Sequence, residues 1–446
     1  MIEGLIPYYL HWYHERPVGI TSARRAELNR LHRILYACAE HFALHYKDYV
    51  DQFMPLGEKE MQILQMQEAY PFRAGTWRPD YIITEDGSLK ICEITSRFFA
   101  HGIFMSWYAE KAADKFMAGF PGKTRTSRYG EMMDYMLEIL EGKRCIYVLK
   151  SADRTGEIRL YKEFYERHGC TVTVLEAPEV EPRRADWARP GVFLISALNQ
   201  MDILSFSMDT LRAMMDAGMY SDFRNIFLIH DKRFMRLWYE DAFTSACLNP
   251  EDTAFLRAHA IPTFSFSRSA WVSGGLRSAL LHSGPSHCLP RPLRELASNG
   301  PLPLYLSEGG QAPGHPCTST DNNEKVFFSE LRGNKDNYII KPYALGKSEG
   351  VHAGVLTSQE EWEKLLEHPE GMIIQPFLKQ RTYKTVWEGI EYQDYMCGMM
   401  LCVNERYFGD GLFRASSLPV TNVGDDRKAC FIDTDDPELL AHCDVL

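Results

Sequence analysis

Apolar and polar positions fall into several distinct periods along this chain, and each period predicts a different element. Between residues 22 and 53, Leu28, Leu31, Leu35, Cys38 and Phe42 recur at spacings of three and four. That spacing predicts a helix, with Ser22 as its N-cap. The next stretch, WRPDYIITEDGSLKICEIT, changes to two short apolar runs, 81–84 and 89–94, on either side of Glu85-Asp86-Gly87. The Asp-Gly pair predicts a hairpin turn between two strands. Helical spacing returns around 106–118 and 129–140.

From Arg144 to about Thr263 the pattern alternates. RCIYVL, TVTVLE, GVFLISAL and NIFLIH are short apolar runs, and the helical EIRLYKEFYERHG lies between the first two. Strands alternating with helices predict βαβ units and a parallel, Rossmann-like sheet. Residues 274–323 are dense in Gly, Pro, Ser and Asn and predict a long loop or linker. Strand-like runs resume in NYIIKP, GVHAGVL, GMIIQPF, YMCGMMLCV and RYFGDGLF, with a helix at about 358–366. The pattern divides the chain into 1–142, 143–270, 271–323 and 324–446, an α/β protein with α+β lobes at its two ends.

Length and charge narrow the functional classes. At 446 residues, two or three domains are expected. Forty-nine Lys and Arg against 60 Asp and Glu give a net charge of −11, which argues against a general nucleic-acid or anionic-membrane surface. No apolar run approaches the roughly 18 residues that a membrane span needs. The N-terminal MIEGLIPYYLHWYHERP lacks the basic start and cleavage site of a secretion signal. Eleven scattered cysteines without a CxxC pair suggest reduced thiols, hence a cytoplasmic protein.

Two stretches could carry chemistry. In YIIKPYALGKSEGVHAG, the GKS triplet is not a P-loop end, because Lys341 stands where the first glycine of GxxxxGK[ST] belongs. An apolar strand delivers Lys341, and a loop with Gly346, Ser348 and Gly350 follows. Such a loop can turn backbone N–H groups toward phosphate oxygens while a lysine supplies charge. It can equally be a hairpin turn with no ligand. Downstream, the strand ending in Gln375-Pro376-Phe377 has the polar backbone and apolar neighbours that an adenine ring uses. The second stretch is the N-terminal hairpin, whose turn sets Asp80 near Glu93. Two carboxylates so placed repel unless a cation or a shared proton lies between them, and magnesium is a natural occupant. A solvated edge hairpin is the other reading. His11 and His14 lack a third ligand and read as packing or surface residues.

Taken in order, these motifs resemble a known family. Strand, Lys-Pro, glycine-rich loop, Gly-x-Glu-Tyr at Glu391 and a strand ending in Phe413-Arg414 resemble the nucleotide lobe of ATP-grasp ligases. RPDYIITEDGSLKICEIT resembles the metal lobe, here preceding the nucleotide lobe as in the circularly permuted branch that includes glutathionylspermidine synthase. HDKRFMRLWYEDAFTSACLNPEDTAFLRAHAIPTF resembles the end of a Rossmann-like pre-ATP-grasp domain. The resemblance implies that Lys341 contacts the α- and β-phosphates of ATP, with Gly346, Ser348 and Gly350 closing over them. It places Gln375 and Phe377 at the adenine and Asp80, Glu93 and Thr95 on magnesium. Arg78 and Arg414 would steady charge on the transferred phosphoryl group or the tetrahedral carbon. Thr95 departs from the family's asparagine, which puts a second metal ion in doubt.

The implied activity is ATP-dependent ligation of a small carboxylic acid to an amine of amino-acid, peptide or polyamine type, through an acyl phosphate. A nucleotide-binding protein without ligase activity and a kinase or thioester-forming ligase on the same fold are the alternatives. A Rossmann-type oxidoreductase is disfavoured, because no GxGxxG follows the first strand of the middle region. The acid and the amine are not named by any motif; the N-terminal helices, His101, Gly102 and the middle region are expected to select them.

Overall fold

The computed structural model describes residues 7–99, 102–152, 156–266, 328–344, 346, 348–421 and 427–446. Its organising element is a seven-stranded antiparallel sheet that joins the two ends of the chain. The predicted hairpin forms as Thr76–Ile83 and Leu89–Thr95, with Asp80 opposite Glu93 and Arg78 opposite Thr95. Thr76–Ile83 then pairs with the long strand Ile390–Val403, in the register Gly398 to Tyr81 and Met399 to Asp80. Phe413–Ser416 and Arg427–Ala429 extend the sheet on one side of the long strand. Thr382–Trp387 and Arg406–Asp410 also pair with the long strand.

Three smaller sheets surround this one. Tyr338–Pro342, Met372–Pro376, His352–Ala353 and Phe264–Ser265 form an antiparallel sheet around the lysine strand. In the middle region Cys145–Lys150 lies between Thr171–Glu176 and Val192–Ala197, all parallel. Val18–Ile20 pairs in parallel with both Phe431–Asp433 and Asp444–Val445, so the N-terminal segment is held by the C-terminal one. The molecule is therefore a mixed α/β protein with several sheets and flanking helices. No helix among the described residues is long and apolar enough to cross a membrane.

The first helix runs from Ser22 to His45 and buries Leu28, Leu31, Leu35, Cys38 and Phe42, the apolar stripe read from its spacing. It stops eight residues short of the expected end, passing through a 3-10 turn into the short helix Val50–Phe53. Its cap is Thr21, whose hydroxyl accepts from the Arg24 amide at 3.3 Å. Ser22 instead donates its amide to Asp435. Two other expectations are corrected. NIFLIH does not extend the parallel sheet: Asn225–Ile229 is one turn of π-helix, buried at all five positions. A short, wholly apolar run does not by itself separate strand from buried helix. RYFGDGLF is two strands rather than one, broken between Asp410 and Phe413, after Gly409 takes φ +101°. Of GVHAGVL only His352–Ala353 is strand, and Gly354–Leu356 is a 3-10 turn. The predicted linker, 271–323, lies outside the described residues.

Behind the sheet, Tyr81 fills the space left by the missing side chain of Gly398 and stands edge-on to Phe413. Its hydroxyl donates to Asp410 at 2.8 Å, and Tyr407 donates at 3.2 Å. Burial pushes the Asp410 carboxyl up to about 7 despite these two donors. A raised carboxyl favours the folded state at low pH, and that contribution is lost as pH climbs from the unfolded value toward about 7. Asp410→Asn removes the titration. The stability of the variant relative to wild type should therefore rise between about pH 4 and pH 7, by at most on the order of 4 kcal/mol. Urea unfolding across that range measures the difference, and a pH-independent difference would refute the assignment.

Candidate functional site

Strand alternation sets Arg78 and Asp80 on one face of the hairpin, and the antiparallel register brings Glu93 and Thr95 beside them. The three charged residues are each met by opposite charge, and Thr95 bonds to Glu93. Arg78 grips Asp80 with two N–H groups, at 2.6 and 2.9 Å, and Arg414 adds a third at 2.6 Å. Asp80 is 2% exposed, so this carboxylate sits dry between two guanidinium groups. Glu93 is half-buried, with the Lys232 ammonium 3.6 Å away and the Thr95 hydroxyl donating at 3.3 Å. Burial alone would raise its carboxyl, but Lys232, Lys341 and Arg414 together hold it below the ordinary value. The repulsion expected between Asp80 and Glu93 is thus relieved by arginine and lysine side chains.

The lysine strand approaches from the other direction. Tyr338–Pro342 pairs with Met372–Pro376, placing Lys341 opposite Ile373 and Ile339 opposite Gln375. Lys341 is buried, and burial pushes its ammonium below the usual range against the pull of Cys92 and Glu93. The following loop is tightly wound: Ser348 takes φ +59° and Gly350 φ +65°. For serine that left-handed conformation is uncommon and carries strain. Gly346 packs on Arg97 so closely that a Cβ would lie 2.5 Å from a guanidinium nitrogen. Lys347 lies outside the described residues, as does His101.

These elements enclose two adjoining cavities. The first, about 100 Å³, is lined by Asp80, Glu93, Lys341, Ser348, Gln375, Phe377 and Arg414, with apolar Ile82, Ile261, Ile339 and Val420. The second, about 470 Å³, is lined by Arg78, Glu93, Thr95, Gly346 and Arg414, together with Arg97, Glu157 and Lys428. Every site residue named from the sequence lines one of the two, except Gly350. A side chain on Gly350 would meet the Pro342 ring at 2.8 Å, so this glycine shapes the turn instead of facing a ligand. Gln375 is fully buried, and its amide donates to Thr263 at 2.8 Å.

Glu391, His11 and His14 lie elsewhere, and several lining residues carry no signal in the local sequence. Glu391 is exposed and lines neither cavity. His11 is exposed against Glu388, whereas His14 is buried against Asp394 at 3.0 Å, so the two do not act together. Asp231 and Lys232 are both buried. Asp231 clamps Arg233, which lies over the Tyr343 ring at 3.7 Å, and Lys232 reaches Glu93. Arg97 could have been found by continuing the alternation Glu93, Thr95 by one step. Lys428 pairs with Arg414 across two strands, and Glu157 comes from the middle region, so neither is visible in local sequence.

The AnkG N-terminal domain family matches residues 31–228, somewhat under half of the chain. The matched stretch carries Arg78, Asp80, Glu93, Thr95, Arg97 and Glu157 and stops before Lys232 and Lys341. Among curated proteins, none matches the chain.

Proposed function

We propose that this protein is an ATP-dependent carboxylate–amine ligase with a circularly permuted ATP-grasp core and a Rossmann-like pre-ATP-grasp region between its lobes. One observation carries the reading. Asp80 and Glu93 from the N-terminal hairpin line the same cavity as Lys341, Ser348, Gln375 and Arg414 from the far end of the chain. In this reading Lys341 and the loop amides bind the phosphates, and Phe377 with Ile82 and Ile339 grips the adenine. Arg78 and Arg414 hold the charge that develops as the carboxylate oxygen attacks the γ-phosphorus and ADP leaves.

Magnesium fits part of the donor set. Glu93, with Thr95 beside it, offers oxygen to a hard cation together with phosphate oxygens. Asp80 fits less well, because both its oxygens already accept guanidinium N–H groups. When bound, the ion supplies charge neutralisation at the phosphates.

The commitment of Asp80 to two arginines also favours a second reading, a nucleotide-binding protein of this fold without ligase activity. ATP titration by calorimetry, followed by ADP release across a panel of acids and amines with and without hydroxylamine, separates the readings. A ligase releases ADP and yields a hydroxamate. A kinase releases ADP without hydroxamate. A binding protein shows heat of binding alone, and absence of ATP binding overturns both proposals.

A further inference from the structure

Backbone geometry decides which neighbouring cysteines can join. Cys92 and Cys397 both line the first cavity, on Leu89–Thr95 and Ile390–Val403. Those strands lie on either side of Thr76–Ile83, so two strand spacings, about 9.5 Å, separate their backbones. A disulfide spans at most about 7 Å between Cα atoms, which keeps this pair as thiols. Cys38 and Cys247 differ. They lie on packed helices, Ser22–His45 and Asp241–Cys247, and although 209 positions apart in sequence their sulfurs stand 4.0 Å from each other. Cys247 is the last residue of its helix, where a turn about its Cα–Cβ bond can bring the sulfurs to the bonding distance of about 2 Å.

The two thiols are unequal. Cys38 is fully buried, whereas Cys247 is half-buried. The hydrogen bond with Cys38 draws the Cys247 thiol below its ordinary value, while loss of water raises that of Cys38. Cys247 is therefore the sulfur that an oxidant meets first, and Cys38 stands behind it. Their contact lies on a seam that other side chains also cross. From the helix of Cys38, Glu27 meets His259 at 2.7 Å, and Arg30 donates to Asp252 at 2.8 Å and to Glu251 at 2.8 Å. Arg30 also lies over the Phe255 ring at 4.4 Å. These partners belong to Pro250–His259, the helix that follows Cys247 and leads to Ile261 in the first cavity. Exposed ion pairs hold such a seam weakly, and a covalent bond at its end would be the strongest link across it.

We propose that Cys38 and Cys247 form an oxidation site, a dithiol that a hydroperoxide converts to a disulfide across this seam. Neither cysteine is among the residues lining the two cavities, so the proposal does not depend on the ligase reading. The Cys247 thiolate attacks one peroxide oxygen; the S–O bond forms, the O–O bond breaks, and hydroxide leaves with that bond's electrons. A sulfur lone pair of Cys38 then forms the S–S bond as the S–O bond of Cys247 breaks. The second hydroxide takes the Cys38 proton and departs as water. Two thiols lose two electrons in all, and the peroxide gains them. A dithiol such as dithiothreitol reverses the change by thiol–disulfide exchange.

The test treats the reduced, folded, full-length protein with graded hydrogen peroxide, alkylates the remaining thiols and maps peptides without reductant. A linked Cys38–Cys247 peptide should appear at doses at least about tenfold below those that oxidise the other cysteines. The urea midpoint of the linked protein should rise by roughly 0.5 M and return to its starting value with dithiothreitol. Cys38→Ala should leave a sulfenic acid at Cys247 that dimedone labels. Cys247→Ser, at the less buried position, should abolish both the linked peptide and the rise in midpoint, and serves if Cys38→Ala folds poorly. Absence of the linked peptide at every dose, its formation only after unfolding in urea, or prior oxidation of other cysteines overturns the proposal. So does a midpoint that linkage leaves unchanged, because the seam would then gain nothing from the bond.

Discussion

Under the proposed ligase reading, Lys341→Ala should lower ATP-dependent turnover by about 100- to 1000-fold, the scale set by removing one preorganised charge from a transition state. The reason lies in where the ammonium sits. Lys341 is buried beside Glu93 and Lys232, so its cost of desolvation is already met before any phosphate arrives. Water that enters the alanine variant cannot replace a fixed cation. The fold should survive, because Lys341 pairs through its backbone with Ile373 and the substitution relieves a buried charge. Steady-state ADP release, with circular dichroism melting as control, measures both sides. Turnover within tenfold of wild type would remove Lys341 from the phosphate site.

Asp80→Ala should act in the opposite way, chiefly on stability. It leaves the guanidinium groups of Arg78 and Arg414 close together, with their shared carboxylate gone. Breaking a buried ion cluster by removing one member costs about 3–5 kcal/mol. If Asp80 were instead held for a metal ion, its loss would weaken metal dependence and leave the denaturation midpoint near wild type. Urea unfolding of Asp80→Ala and Asp80→Asn, each with and without magnesium, distinguishes the two. A loss below about 1 kcal/mol in both variants would show that the arginine clamp contributes little.

Local chemistry made part of this site readable. The Asp86-Gly87 turn determines the hairpin and brings Asp80 near Glu93, but simple counting sets Asp80 opposite Cys92, and a register shift between Asp80 and Tyr81 is what brings Glu93 directly across from it. Lys341 could be placed at the end of its strand because Pro342 and the glycines mark where regular pairing stops. What counting could not supply was the partner of each charge. Arg414 reaches Asp80 because Ile390–Val403 lies between their strands, a pairing that links residues more than three hundred positions apart. Glu157, Lys232 and Lys428 arrive by the same kind of distant packing. The π-helical turn Asn225–Ile229 is hidden for another reason: Ile226–Ile229 are all apolar and all buried, so no alternation of apolar and polar positions reveals a period.

The sheet that joins the two ends of the chain also sets the order in which the molecule can be made. Thr76–Ile83 emerges early from the ribosome, yet its neighbour Ile390–Val403 follows more than three hundred residues later. Until then one edge of the hairpin is an unpaired strand with buried-type side chains such as Tyr81 and Ile83. Pairings of such sequence separation are slow to form, because loop closure precedes any gain from contact. The growing chain thus passes through a long interval in which two of the seven strands of its central sheet are exposed to aggregation, and chaperones that shield strand edges would act during that interval.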